Sequence, residues 1–283
     1  MPTRHRIGEH PLWDDATQRL VWVDCLAGKV WAARPGIEDP TKLYQTRDAG
    51  PIGCAALRAN GGLVVAGSEG VVLVEPSGET RQLADIPLRP GVRFNDGACD
   101  PAGRFLVGTT GGDVPGLGEL YSVEPDGRYR RLLSKLDEAN GIGWSLQGDQ
   151  LYFIDSGEPH IWVFDYDVAT GELSKQRVFA RNPGLPGVLD GLAVDRAGHV
   201  WVAMWGGSAV LRYDPAGAPC EVIPTPVSQP TCPAFGGPGL DTLYLTTGAF
   251  DMTAHESAAQ PWAGHVLRHA LPVEGRRPHL FGA

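Results

Sequence analysis

Residues 189–205 read Leu189-Asp190-Gly191-Leu192-Ala193-Val194-Asp195-Arg196-Ala197-Gly198-His199-Val200-Trp201-Val202-Ala203-Met204-Trp205. An acid opens a short apolar run, the run ends at Asp195, and Arg196-Ala197-Gly198 supplies a turn. A β-branched and aromatic run follows from His199 to Trp205. Strand, Asp/Gly turn, strand is the grammar of a β-hairpin.

The same grammar recurs along the chain. It appears at Gly8–Asp24, Gly53–Ala66, Arg93–Val107, Asn140–Asp155 and Cys232–Thr246, usually with a third strand and in places a fourth. With the turns as anchors, the residues opening each first strand are Glu9, Gly53, Asn95, Asn140, Asp190 and Cys232. They lie 44, 42, 45, 50 and 42 residues apart. A period near 45 with three or four strands per unit is that of a propeller blade. Six units predict an all-β, six-bladed β-propeller forming one domain over residues 1–283. No helix or helix cap is evident. The 38 glycines and 24 prolines of this 283-residue chain fit many turns between many strands.

In such a ring the first strand of each blade lines a central channel, so this column of residues converges on one axis. Four of its six members carry side-chain oxygen: Glu9, Asn95, Asn140 and Asp190. Carboxylates and amide carbonyls suit a hard cation. Two carboxylates crowded into a channel repel one another unless a cation lies between them. Cys232, without oxygen, reads as channel packing. Strand alternation points His10 away from the axis, into a packing or surface role, with support of the neighbouring ligands as the alternative. Asp96 reads as holding a turn or bonding a neighbouring strand. Trp144 and Trp205 read first as packing, with a sugar-pocket wall as the alternative.

Other classes are disfavoured. The net charge of −9 repels phosphate backbones, which argues against nucleic acid. No apolar run of about 18 residues is present to span a membrane, and Met1–His10 lacks the apolar stretch of a secretory signal. Five cysteines without a CxxC pair read as reduced thiols, which predicts a cytoplasmic location. The chain has no GxxxxGK[ST], no HExxH and no G-x-S-x-G, and Gly141-x-Gly143 lacks a third glycine.

Gly8-Glu9-His10-Pro11-Leu12-Trp13, Arg93-Phe94-Asn95-Asp96-Gly97, Ala139-Asn140-Gly141 and Leu189-Asp190-Gly191 resemble motifs of the SMP-30/gluconolactonase/regucalcin family. Phe235-Gly236-Gly237 and Leu243-Tyr244-Leu245-Thr246-Thr247 resemble its last blade. The likeness covers essentially the whole chain in the same motif order. It implies a propeller holding one divalent cation in its channel, with Glu9, Asn140 and Asp190 as ligands. Calcium is the first choice, with zinc, manganese or magnesium as alternatives. It implies that Arg93 binds substrate hydroxyls and that Asn95 contacts substrate or metal. Asp113 is the nearest match to an acidic substrate-binding residue in the loop after that blade.

The implied activity is hydrolysis of a sugar-acid lactone of the gluconolactone, xylonolactone or arabinonolactone type to the aldonic acid. The cation polarises the carbonyl and activates water. Asp190 is the candidate general base, through an oxygen not engaged by the cation. Two alternatives stand beside this: a phosphotriesterase-like or other-lactone hydrolase on the same scaffold, and a calcium-binding regulatory protein without turnover.

Overall fold

The structure, a computed structural model, describes residues 4–37 and 39–283. Met1–Thr3 of the leader reading lie outside the described residues. Six antiparallel sheets stand in a ring, each a meander whose strands pair in chain order. Blade 1 is β1 (Gly8–Asp14), β2 (Arg19–Asp24), β3 (Lys29–Ala33) and β4 (Thr41–Gln45). Blade 2 is β5 (Ile52–Leu57), β6 (Leu63–Gly67), β7 (Gly70–Val74) and β8 (Thr80–Ala84). Blade 3 is β9 (Arg93–Cys99), β10 (Phe105–Thr110), β11 (Gly118–Val123) and β12 (Tyr129–Leu136). Blade 4 is β13 (Ala139–Trp144), β14 (Gln150–Asp155), β15 (His160–Asp167) and β16 (Glu172–Arg181). Blade 5 is β17 (Val188–Val194), β18 (Val200–Trp205), β19 (Ala209–Tyr213) and β20 (Pro219–Pro224). Blade 6 is β21 (Pro230–Gly236), β22 (Thr242–Thr247) and β23 (Leu267–Ala270). The six-bladed all-β expectation holds.

The ring is held by six apolar clusters, one in each gap between neighbouring blades. Strand alternation explains this. In β6, Leu63 and Val65 face blade 1 while Val64 and Ala66 face blade 3. A middle strand therefore buries both faces, which is why β6 and β7 are buried at every position. Each fully buried Leu, Ile or Phe in these layers contributes about 1.5–3 kcal/mol. The outer strands face water: all six residues of β20 are at least partly exposed.

Inner strands β1, β5, β9, β13, β17 and β21 each contact the next around the hub, and β21 contacts β1 to close the circle. Both chain ends reinforce the closure. Ile7 bridges Gly248 of blade 6. At the other end, residues 274–282 cross one face of the ring. Arg196 N donates to Glu274 O at 2.9 Å, Arg276 Nη1 to Trp144 O at 3.0 Å, and Gly282 N to Gly103 O at 2.9 Å. Phe281 is buried in the cluster between blades 2 and 3.

One expectation is corrected. A short helix, α1 (Ala254–Ala259), sits in the loop between β22 and β23. Thr253 and Glu256 form a reciprocal capping box around its first turn. The signal Thr253-Ala254-His255-Glu256 was legible in the sequence, but no apolar periodicity marks the segment, because none of its residues is buried.

Candidate active site

Every inner strand carries a β-bulge near its start. The register skips between Glu9 and Leu12, Ile52 and Cys54, Phe94 and Gly97, Ala139 and Ile142, Leu189 and Leu192, and Pro230 and Pro233. Bulges leave a residue unpaired and re-aim its side chain, and they concentrate at active sites. Asn95, Asn140 and Asp190 are each the first unpaired residue of their bulge. The matching residues in blades 1 and 6 are His10 and Thr231. Glu9 lies one residue upstream, at a paired position, and Cys232 one downstream. Gly53 is the one unpaired residue of its bulge, so the column read from the sequence is displaced in blades 1 and 6.

A directed line of hydrogen bonds crosses three blades at the hub mouth. Arg93 Nη1 donates to Asn95 Oδ1 at 2.6 Å. Asn95 Nδ2 donates to Asn140 Oδ1 and to Ala139 O, both at 3.0 Å. Asn140 Nδ2 donates to Ser156 Oγ at 2.7 Å, and Ser156 Oγ to Leu189 O at 2.6 Å, next to Asp190. Both amide groups are thereby fixed. Asn140 Oδ1 receives one hydrogen bond and keeps a second lone pair.

Carboxylates crowd this line. Glu9 Oε2 accepts the His10 N–H at 2.9 Å. Burial, then the charge of Asp96, pushes the Glu9 carboxyl up to about 8. Burial, followed by Glu9, Glu138 and Asp96, holds Asp190 well above the ordinary carboxylate range. Glu138 is also raised, chiefly by burial, against the pull of Arg93. Arg93 Nη2 lies 3.8 Å from Glu138 Oε1. One guanidinium thus faces several acids, a balance that favours a bound cation.

The donor chemistry of Glu9, Asn140 and Asp190 fits a hard divalent ion: two carboxylates whose charges need compensation, and one amide oxygen with a lone pair available. Among the described residues, no three His, Cys, Asp or Glu side chains gather as a ready-made metal cluster. The expected set contains only two of those types, so the amide of Asn140 must complete it.

The structure brings Arg93, Asn95 and Asn140 into direct contact, with Glu9 and Asp190 close enough to act on each other electrostatically. It does not join Asp113 to them. Asp113 is exposed in the loop joining β10 to β11, on the same rim as Arg93 because Thr110 pairs with Arg93.

His10 packs, but it faces the hub and not away from it. Its φ of +49° turns it out of strand alternation, and it is buried with Nδ1 2.6 Å from Asp96 Oδ1. Asp96 thereby bonds from blade 3 to blade 1, while its Oδ1 also accepts the Gly97 N–H at 2.8 Å. Beyond this pair lies a hub cavity of about 150 Å³, lined in part by Ile142, Leu192 and Cys232 and bounded by Arg276 and His279. Cys232 packs there, as expected, against the α-carbon of Gly191. Trp144 is buried between blades 3 and 4, in its packing role. Trp205 is half-buried beside Gly248.

The family model described as the SMP-30/gluconolactonase/LRE-like region matches residues 7–249. The chain belongs to this family. Among its SMP-30-like relatives, a regucalcin of Danio rerio is 33% identical over 98% of this chain and 95% of its own. A pentonolactonase of Haloferax volcanii is 34% identical over 97% of this chain and 94% of its own. A solved structure described as a calcium-binding protein, regucalcin, from Agrobacterium tumefaciens superposes with a TM-score of 0.93. It is 28% identical and covers 99% of this chain and 95% of the other. No helix among the described residues is long and apolar enough to cross a membrane.

Two residues of the candidate site in this SMP-30-like chain, Glu138 and Ser156, differ in how far the sequence marks them. Glu138 stands two before Asn140, as Arg93 stands two before Asn95, and that shared offset was an available signal. Ser156, just past the end of β14, had none, because its bond to Asn140 depends on how β13 and β14 pair.

Proposed function

We propose that this chain, as a single propeller domain, is a lactonase that opens the cyclic ester of a sugar acid with one divalent cation held by Glu9, Asn140 and Asp190. The observation that carries the reading is the hydrogen-bonded line from Arg93 through Asn95 and Asn140 to Ser156, ending beside Asp190. The pentonolactonase among its relatives supports the substrate class. The cation, calcium by its oxygen donors or else zinc, manganese or magnesium, would supply Lewis acidity and lower the pKa of a bound water.

The chain's own residues do the rest. Arg93, 28% exposed, offers guanidinium hydrogens to substrate hydroxyls, and Glu138, 39% exposed beside it, accepts from them. A donor and an acceptor side by side match one hydroxyl. Asn95 fixes the guanidinium, and Ser156 fixes the amide of Asn140. A water oxygen attacks the carbonyl carbon, and Asp190 takes the water's proton. The acyl–oxygen bond of the ring then breaks, and that proton passes to the departing ring oxygen. The single product is the aldonic acid, which carries the former ring oxygen as a free hydroxyl. Asp113, exposed in the loop joining β10 to β11, would meet a distal hydroxyl. Five free cysteines, four of them buried, support a reducing, cytoplasmic setting.

The test is proton release from D-glucono-, D-xylono- and L-arabinono-lactones after EDTA treatment and with each cation restored, with paraoxon alongside. Cation-dependent lactone turnover supports the reading. Paraoxon turnover alone would assign a phosphotriesterase. Tight calcium binding with no turnover would make the chain a binding protein, as the regucalcin name of its relatives allows.

A further inference from the structure

A second concavity, of about 470 Å³, opens beside the candidate site. Arg93 and Phe94 form its inner wall, and Arg93 links it to the candidate site through its hydrogen bond to Asn95. The turn joining β6 to β7, with Ser68 and Glu69, forms the far wall. Residues 85–92, the irregular link from β8 to β9, form the side. The volume falls within the range of ligand pockets.

The walls are stiff. Ile86-Pro87-Leu88-Arg89-Pro90 has two prolines with fixed φ. Ile86 is buried under the link. Glu69 is held by the Tyr44 hydroxyl, and Gln82 Nε2 donates to Glu69 O at 3.1 Å. Asp85 and Arg89 are different. Both are exposed, both line the pocket, and among the described residues neither side chain makes a hydrogen bond within the chain. Asp85 thus offers an acceptor, and Arg89, whose charge also acts on Glu119 of β11, offers donors beside the apolar surfaces of Pro87 and Leu88. The charged lining comprises two carboxylates, Glu69 and Asp85, and two guanidinium groups, Arg89 and Arg93. A balanced wall of this kind suits a neutral, hydroxyl-rich ligand with apolar C–H faces better than an anion or a cation.

We infer that this pocket is a subsite for a second sugar ring, so that the preferred substrate is the lactone of a disaccharide acid. The inference rests on the lactonase reading above for the position of the first ring. Arg93 joins the two sites: a lactone ring bound at the hub mouth presents its outer hydroxyls there, and a sugar attached to one of them enters the pocket.

The experiment compares D-glucono-1,5-lactone with cellobiono-1,5-lactone and melibiono-1,5-lactone, which carry a second ring at O4 and O6. Wild type, Arg89→Ala and Asp85→Ala are assayed. At least one disaccharide lactone is expected to exceed gluconolactone in kcat/KM by about tenfold, the worth of one hydrogen bond to a charged group. Each variant should remove that advantage through KM and leave gluconolactone unchanged. Equal or better turnover of gluconolactone overturns the inference, as does an equal loss on all substrates. Calorimetric titration with gluconate, cellobionate and melibionate separates the two readings. If no lactone is hydrolysed, the lactonase reading falls. The subsite then stands only if a disaccharide acid binds about tenfold tighter than gluconate and Arg89→Ala abolishes the difference.

Discussion

Asp190 lies 6% exposed at a bulge, ringed by Glu9, Glu138 and Asp96, and its backbone neighbour Gly191 N–H stabilises the charged form. Nothing in the blade cores rests on its carboxylate. Asp190→Ala should lower kcat by about a thousandfold while circular dichroism and the melting transition stay near wild type. Retained turnover would remove Asp190 from the chemistry. Ser156 acts one step out. Ser156→Ala leaves the amide of Asn140 without its acceptor, and loss of such support costs about 10–100-fold in cation affinity. Calcium titration of the variant measures this, and unchanged affinity would make Ser156 a packing residue. Glu138→Gln keeps shape and loses charge. If Glu138 accepts a substrate hydroxyl, KM for gluconolactone should rise about tenfold with kcat and cation affinity preserved. A fall in cation affinity would instead make Glu138 a ligand.

The inner strands owe their geometry to bulges and to the glycines that let them approach. Gly53 is the unpaired residue of the blade 2 bulge, and a β-carbon there would lie 2.3 Å from Asn95 O. That contact is with backbone, so the neighbouring strand itself must shift. Gly53→Ala should destabilise the chain by about 1–3 kcal/mol, read from urea unfolding midpoints. It should also weaken activity, because the displaced residue is Asn95. A variant as stable and active as wild type would show that blades 2 and 3 can separate freely. The outer strands illustrate the opposite case. β4, β8 and β12 have exposed or mixed faces, and no alternation in the sequence announced them.

At the scale of the whole ring, acidic side chains from blades 1, 3, 4 and 5 meet at the hub, and this carries a pH signature. Glu9 is raised from 4.5 to about 8, chiefly by burial. A carboxyl with a raised folded pKa contributes stability below its unfolded value and loses it as pH climbs through the folded one. The EDTA-treated chain should therefore melt at lower temperature at pH 8 than at pH 5. Cation at 100 times its Kd should restore about 2.7 kcal/mol. A melting temperature that rises from pH 5 to pH 8 without cation would mean that the hub acids are not mutually strained.

The sequence alone determined the class of fold, because short strands, Asp/Gly turns and a period near 45 are local properties. It also picked out Asn95, Asn140 and Asp190, since side-chain oxygens at repeated strand starts stand out against apolar runs, whereas Arg93 was marked only by the likeness of Arg93-Phe94-Asn95-Asp96-Gly97 to the family's motif. Only the tertiary structure decided which residues occupy equivalent places. A bulge inserts one residue without changing the strand's composition, so the displacement of Glu9 and Cys232 left no mark in the letters. It decided equally that His10 turns inward to Asp96 and that Glu138 joins Arg93. Those contacts arise where separate blades converge on one axis, and convergence is a property of the closed ring.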